Sequence, residues 1–484
     1  MDHVTQEIVD NVSKEETFFS YTVEGAKVEW KWSEEGCKYI ISEPILSDWE
    51  KGVVDRLINE ASRLYLSFDS QIDYIISKLN EYFRNPKDIE RITYWVKKRI
   101  GYGEISVLLL DPNVEEIECR GPGFPITVIL RNSKRCMRAE TNVFLSTEEE
   151  VRNVIERLAT RSNKPVSLAR PYLEFSLPEG HRVAATVSNE ISIPGSTFDI
   201  RKFPKTSFTV VDLIKFGTID VLTASYLWFV LNHKPFIVIL GPTGSGKTSL
   251  MNALLDLLNP EWKILTIEDT PELTLHNPFW VRFVARKSFD PSVEVTLFDL
   301  AKLALRYRPD FLAIGEVRGR EIEALVHSAA SGHGSITTFH GLKPSDVLVR
   351  VNALLDRDTA RLFLSTITLF VTITHSVKGG ERKRKVTTIY EKGEDSRMDR
   401  FVRLPLVEMS DGLSDEVTEA EVEGFVKRSV VLKKIIDSLG EPIDYAVEGL
   451  IKRIKFLEGL SKRNIELLEL QRELKKFYRG ELMH

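Results

Sequence analysis

The chain has 484 residues, too many for a single hydrophobic core, which rarely grows past about 250–300 residues, so more than one domain is expected. With 43% hydrophobic and 28% charged residues it has a globular composition, and it contains no low-complexity stretch or short-period repeat. A formal net charge of −5 provides no global basic field for nucleic acid, leaving only a local basic face possible.

At the N-terminus, residues 1–7 are acidic and polar, unlike a secretory signal. No run of about 20 apolar residues spans a bilayer. The nearest approach, Leu362 to Val377, is interrupted by Ser365, threonines and His375 and reads as buried core. Cys37, Cys119 and Cys136 read as isolated and odd in number, which suits a reducing cytoplasm and excludes a four-cysteine zinc module from this chain alone.

Residues 1–100 mix strand-like pieces (Phe18 to Val23, Val28 to Trp32) with helical spacing at Val53, Leu57, Ala61 and Leu64 and at Ile72, Ile75, Ile76 and Leu79. They are expected to form a helical or mixed partner-binding module. From 101 to 205 short strands and turns predominate, with Ile105 to Leu110 read as a strand. A helix over about 147–162 is expected to open with a capping box from Ser146 to Glu149. That segment predicts an α+β domain, with a hinge at Pro204 to Gly217. Residues 206–412 alternate helices with β-branched runs, the pattern of a parallel α/β sheet, and end in an antiparallel meander over Leu369 to Glu408. Lys383-Arg384-Lys385 falls near a tip of that meander and reads as a solvated turn or a nucleic-acid contact. Residues 413–484 are helical, with apolar stripes at Val447, Leu450, Ile451, Ile454 and Leu457 and at Leu467, Leu470, Leu474 and Phe477, read as packing faces or a partner-helix surface.

Within the α/β region, the apolar run Phe236 to Leu240 leads into Gly241, Pro242, Thr243, Gly244, Ser245, Gly246, Lys247 and Thr248, and then into a helical stretch. Strand, glycine-rich loop and helix in this order form the context of a Walker A phosphate loop. Its backbone N–H groups and the new helix terminus face an anion, Lys247 reaches the β- and γ-phosphates, and Thr248 can ligate Mg²⁺. The motif implies nucleoside triphosphate binding.

Three further segments accompany it. Ile264 to Leu273 is an apolar strand ending in Glu268 and Asp269, carboxylates that can hold a metal-bound water, orient the attacking water, or simply cap a helix. Arg308 to Gly319 is a buried strand ending at Glu316 with Gly315 before it, so Glu316 has to serve the water, the Mg²⁺ shell (directly or through water), or both, while Arg318 can pair with a carboxylate locally. Gly332 to Gly341 is a strand flanked by His333 and His340. The spacing fits no standard metal site, and His340 reads as a γ-phosphate sensor or a structural histidine.

Taken together, the glycine-rich loop, Ile267 to Glu272, Gly315 to Gly319, and Gly332 to His340 resemble, in order and spacing, the secretion ATPase superfamily that powers type II secretion, type IV pili, archaella and type IV secretion. These segments correspond to its Walker A, Asp box, Walker B and His box. Upstream, Gly101 to Gly121, Leu177 to Arg182 and Ile200 to Phe203 resemble the family's N-terminal domain, so that about 100–412 is covered. The resemblance implies a RecA-like P-loop ATPase core preceded by an α+β domain, with ATP and Mg²⁺ as cofactors and a homohexamer as the assembly. It also implies that Arg182 and Arg201 reach the triphosphate, the alternative being structural ion pairs. Two departures are Ile322 and Gly341, each where an alanine is common.

On this basis Glu316, Glu268, Arg182, Arg201 and His340 are the candidate catalytic residues, with Asp269, Arg318 and His333 in support. The implied protein is a cytoplasmic motor, peripheral to the membrane and without a span of its own. It would act on a polytopic membrane platform protein to assemble a pilus-like filament or drive secretion, with archaeal members the nearest likeness. The alternatives are a DNA-transfer ATPase, disfavoured by the acidic charge, and a nucleotide-gated scaffold without turnover.

Overall fold

The computed structural model describes residues 16–481 except 35, 65–66, 132–135, 137, 204–206, 287–290, 318, 320, 379–380, 394–399, 407–416, 464 and 466. The N-terminal heptapeptide, the start of the expected hinge, the Gly379-Gly380 turn and Arg318 therefore lie outside the described residues. The chain divides into two units, Met1–Lys205 and Thr206–His484.

The first unit begins with β1 (Glu16–Val23), β2 (Ala26–Ser33) and β3 (Gly36–Ser42). Glu24 and Gly25 both take positive φ (48° and 101°), the left-handed pair that a two-residue hairpin turn requires. Next come α1 (Asp48–Ser62), α2 (Phe68–Tyr82), α3 (Pro86–Ile100) and the short α4 (Ser106–Leu110). Then follow β4 (Val114–Cys119), β5 (Pro125–Leu130), β6 (Arg138–Phe144), α5 (Glu148–Arg161), β7 (Tyr172–Ser176), β8 (Arg182–Thr186) and β9 (Thr197–Arg201).

Among the described residues, these nine strands share one sheet in the order β1-β2-β3-β6-β5-β4-β9-β8-β7, antiparallel except where β3 meets β6. Its apolar residues, among them Val28, Tyr39, Val128 and Ile200, form one core with Val151, Ile155 and Leu158 of α5. Helices α1–α3 close a smaller core around Val54, Leu57, Ile75, Leu79 and Ile92. Buried Asp111 ties the first strands to the rest: its Oδ2 accepts hydrogen bonds from Tyr39 (2.6 Å) and Tyr21, and its carbonyl accepts one from Lys202.

Three expectations are corrected here. Ile105–Leu110 is helical, because four consecutive buried positions, Ser106 to Leu109, suit a short buried helix as well as a strand. The capping box of α5 is Thr147 with Glu150, one residue later than expected. The cysteines are not all isolated: Cys37 and Cys136 form a disulfide with Cα atoms 5.9 Å apart across 99 residues of sequence, and Cys119 is a free, buried thiol. The argument from unpaired cysteines to a reducing compartment therefore fails.

The second unit opens with α6 (Val210–Lys215), α7 (Val221–Leu231), β10 (Phe236–Leu240) and α8 (Lys247–Leu255). It continues through β11 (Ile264–Glu268), β12 (Trp280–Val284), α9 (Leu297–Arg306), β13 (Phe311–Glu316), α10 (Glu321–Ala330) and β14 (Gly334–Phe339). After α11 (Pro344–Leu354) and α12 (Arg357–Thr366) come the expected meander strands β15 (Leu369–Lys378), β16 (Glu381–Lys392) and β17 (Phe401–Leu404). The last helices are α13 (Glu419–Arg428), α14 (Val430–Leu439), α15 (Ile443–Ser461) and α16 (Leu467–Glu481).

The sheet order is β12-β11-β13-β14-β10-β15-β16-β17, parallel as far as β15 and antiparallel beyond. Ile237 and Ile239 of β10 enter a core shared with α6–α8 and α13–α16, while Phe236, Val238 and Leu240 enter the opposite core with α9–α12. The sheet is thus covered on both faces, as parallel sheets are, and this is the RecA-like α/β arrangement.

Every residue of α7 is buried, because the C-terminal helices cover its outer side. Trp228 donates to the Tyr478 hydroxyl (2.8 Å), and its ring packs on Phe477. The two C-terminal stripes are therefore packing faces. Buried Glu391 of β16 accepts hydrogen bonds from Tyr226 (2.6 Å), Ser429 (2.5 Å) and the Val430 N–H (2.7 Å), binding α7, β16 and the start of α14 together.

Candidate nucleotide site

The glycine-rich loop leaves the carboxyl end of β10, which lies between β14 and β15. At Gly241 an added Cβ would stand 2.3 Å from the Ile373 carbonyl and 2.4 Å from Ser245 Oγ, so only glycine fits. Gly246, at φ +97°, turns the chain into α8, whose N-terminus has no side-chain cap. That uncapped end suits an anion. Lys247 is buried and donates to the carbonyls of Gly241 (2.9 Å) and Pro242 (3.0 Å). Its ammonium therefore lies within the loop that it would share with phosphates. Ser245 Oγ is buried without a hydrogen-bond partner, as expected in a cradle shaped for a polar guest.

Glu268 and Glu316 end the adjacent strands β11 and β13 but differ in engagement. Glu268 is 2% exposed. One oxygen accepts from the N–H groups of Glu272 (2.6 Å) and Leu273 (2.7 Å), and the other meets Arg282 Nε (3.2 Å). Burial raises its pKa to about 6, opposed by those N–H groups and by Arg282. Glu268 therefore pins its own loop, with Asp269 next to it. A Cβ on Gly315 would touch Glu268 Cγ at 3.4 Å, so the small residue before Glu316 leaves room for that side chain.

The β13–β14 register shifts between Ile314 and Glu316, and such a bulge re-aims the strand end. The Thr338 hydroxyl holds the Gly315 carbonyl (2.7 Å) across this point. Glu316 Oε1 lies 2.7 Å from His340 Nε2, at ion-pair distance. Thr248 and Glu316 supply oxygen donors of the kind a hard cation such as Mg²⁺ takes.

The structure thus gathers residues 241–248, Glu268, Glu316 and His340 at the carboxyl edge of one parallel sheet. His333 does not join them. It precedes β14 at the opposite edge, about 20 Å away along six residues of strand, and faces Asp310. Arg182 and Arg201 belong to the first unit, where they are direct neighbours on β8 and β9. There Arg182 pairs with Glu174 (2.5 Å) and Arg201 lies 3.7 Å from Glu116. Of the two departures from the common pattern, Gly341 has a steric reason, since a Cβ there would stand 3.0 Å from Asp346 Cβ, while Ile322 is fully buried. Sequence reasoning missed Arg384, whose Nε donates to the Gly244 carbonyl (3.2 Å), because its signal was only a basic cluster.

Comparison with known proteins bears on the family. An uncharacterised protein of Methanocaldococcus jannaschii is 34% identical over 268 residues, 55% of this chain and 48% of that one. A second from the same organism is 30% identical over 277 residues, 56% of this chain and 99% of that one. The type IV secretion system protein VirB11 of Bartonella henselae is 28% identical over 330 residues, covering 59% and 90%. The chain spans only 48% and 34% of two M. jannaschii relatives that it matches at 34% and 40% identity. Among solved structures, the Legionella pneumophila ATPase DotB aligns at 16% identity and TM-score 0.44 over 76% of this chain and 92% of that one. The pilus retraction motor PilT aligns at 17% and 0.43 over 76% and 96%. Residues 132–379, just over half of the chain, match the family described as type II/IV secretion system protein, and the chain belongs to that family.

Proposed function

We propose that this chain is a Mg²⁺-dependent motor ATPase that drives assembly of a pilus-like filament or type II-like secretion. The observation that carries the reading is the phosphate loop and the Glu316–His340 pair at one edge of the parallel sheet, in a chain of the secretion family. Residues 241–248 bind the triphosphate, with Lys247 leaving its loop carbonyls for phosphate oxygens. Thr248 and Glu316 would hold Mg²⁺, which neutralises phosphate charge when bound. Glu316 positions the attacking water and accepts its proton, held in aim by His340. Glu268 keeps the adjoining loop in place, and Arg182 and Arg201 stabilise the transferring phosphoryl charge.

The motor reading carries further proposals. The working form is a homohexamer, and Arg182 and Arg201 complete the site on domain closure or subunit assembly. It sits at the cytoplasmic face of the membrane and acts on a polytopic platform protein. Among the described residues no helix is long and apolar enough to cross a membrane, so a separate platform would supply the span. The VirB11 likeness favours a second reading, a DNA-transfer ATPase, in which case DNA would stimulate turnover in a salt-sensitive way.

The test is phosphate release by the purified chain, with Lys247→Ala and Glu316→Gln beside it. Loss of about 10²–10⁴-fold in kcat for Glu316→Gln is expected of a general base. Normal turnover in either variant would sink the ATPase reading. Filament counts on native cells carrying Lys247→Ala then separate the biological roles: loss of one filament class identifies an assembly motor, an excess identifies retraction, and no change favours secretion or DNA transfer.

A further inference from the structure

The basic cluster of the meander has a different place from either role expected of it. β15 pairs with β10 as far as Leu240 and Thr372, then continues beyond the carboxyl edge of the sheet with β16 returning beside it. Arg384 stands opposite His375, about 10 Å past that edge. This brings it level with the glycine-rich loop. Its Nε donates to the Gly244 carbonyl (3.2 Å), and its Cδ lies 3.2 Å from where a Cβ on Gly246 would stand. Lys247 holds the first two carbonyls of the loop and Arg384 the fourth residue's, so two cations flank one anion cradle.

We infer that Arg384 is a second cationic contact for the phosphates of the bound nucleotide, supplied from the same chain and acting on affinity. This rests on the nucleotide reading of the loop. A guanidinium stays charged at any working pH, and its planar fork matches phosphate oxygens. The neutral Gly244 carbonyl is a weaker acceptor than a phosphate oxygen, since charge-assisted bonds are about twice as strong as neutral ones. Arrival of a nucleotide therefore draws Arg384 from loop to ligand without moving the hairpin far. The position also bears on Gly246: a Cβ there would crowd the arginine, 3.2 Å from its Cδ.

The experiment uses the full chain as wild type, Arg384→Ala, Arg384→Lys and Lys247→Ala. It measures the Kd of a fluorescent ATP analogue, its competition by inorganic tripolyphosphate, KM and kcat, with thermal melting to verify folding. Arg384→Ala is expected to weaken ATP and tripolyphosphate by the same factor, about tenfold to a hundredfold, as loss of a hydrogen bond between charged groups does. Arg384→Lys should recover part of it, and the loss should fall on KM more than on kcat. Unchanged affinity for both ligands would make Arg384 a clip on the loop and overturn the inference. Weaker ATP binding with unchanged tripolyphosphate competition would assign it to the base or ribose, and would overturn it equally. If Lys247→Ala also bound ATP normally, the nucleotide reading itself would fail, which separates the two failures.

Discussion

The two sheets of this chain place their polar residues in opposite ways. In Thr206–His484 the strands β10, β11 and β14 are buried along their whole length, and the candidate site residues Glu268 and Glu316 and the glycine-rich loop lie at or just past strand ends along one edge. In Met1–Lys205 strands such as β8 and β9 alternate buried and open positions, and Arg182 and Arg201 stand beside each other on the open face with Glu174 and Glu116. A parallel sheet covered on both sides concentrates function at its strand ends, whereas an antiparallel one offers a surface.

The largest expected effect tests whether that surface takes part in the chemistry of the edge. Arg182→Ala and Arg201→Ala are expected to cut ATPase turnover by about 10³-fold or more, the range of an arginine on a transferring phosphoryl group. Melting should barely move, because partly exposed ion pairs are worth about 0–1 kcal/mol. Normal turnover in both variants would break the comparison and leave all the chemistry in one unit.

A smaller effect separates the units by what holds them together. All three cysteines fall within Met1–Lys205. Reduction, or Cys37→Ser, should destabilise that unit by about 2–4 kcal/mol through the long loop it reopens, and leave melting of the other unit unchanged. Calorimetry with and without reductant tests this, and a shift in both transitions would mean that the units unfold together.

The smallest effect sharpens the contrast between the two edge carboxylates. Burial raises the Glu268 pKa from its ordinary 4.5 to about 6. A raised pKa favours the folded state while the group is protonated, so this stabilisation is complete below about pH 4.5 and is lost as pH rises through about 6. Between pH 4 and 7 the wild type should lose about 1–2 kcal/mol relative to Glu268→Gln, measured by urea unfolding across pH. Parallel pH curves for the two proteins would show that the N–H groups of Glu272 and Leu273 and Arg282 fully offset the burial, and would overturn the raised pKa.

The parallel core and its phosphate loop were legible because strands buried on both faces read as unbroken apolar runs, and because Gly241 and Gly246 sit where no side chain fits. Glu316 was readable as the end of such a run, but its pairing with His340 depends on two strand ends meeting across a register shift. By sequence His333 reads as a supporting residue to the His340 site, yet a six-residue strand puts the two at opposite edges. The Cys37–Cys136 bond and the Tyr21–Asp111–Tyr39 cluster join residues about as far apart in sequence as a small domain is long, and no local periodicity carries that. Arg384 was visible only as a charge, since its contact with Gly244 spans 140 residues.

One strand meets both the loop and the C-terminal helices. Seven residues separate Arg384, which touches Gly244, from Glu391, which fastens α7 and the start of α14. Over that length, about 23 Å, β16 is paired with β15, with a register shift where Thr388 and Val386 face Thr372 and Ile373. The phosphate cradle and the C-terminal helices are thus fastened to a single strand, the one through Arg384 and the other through Glu391.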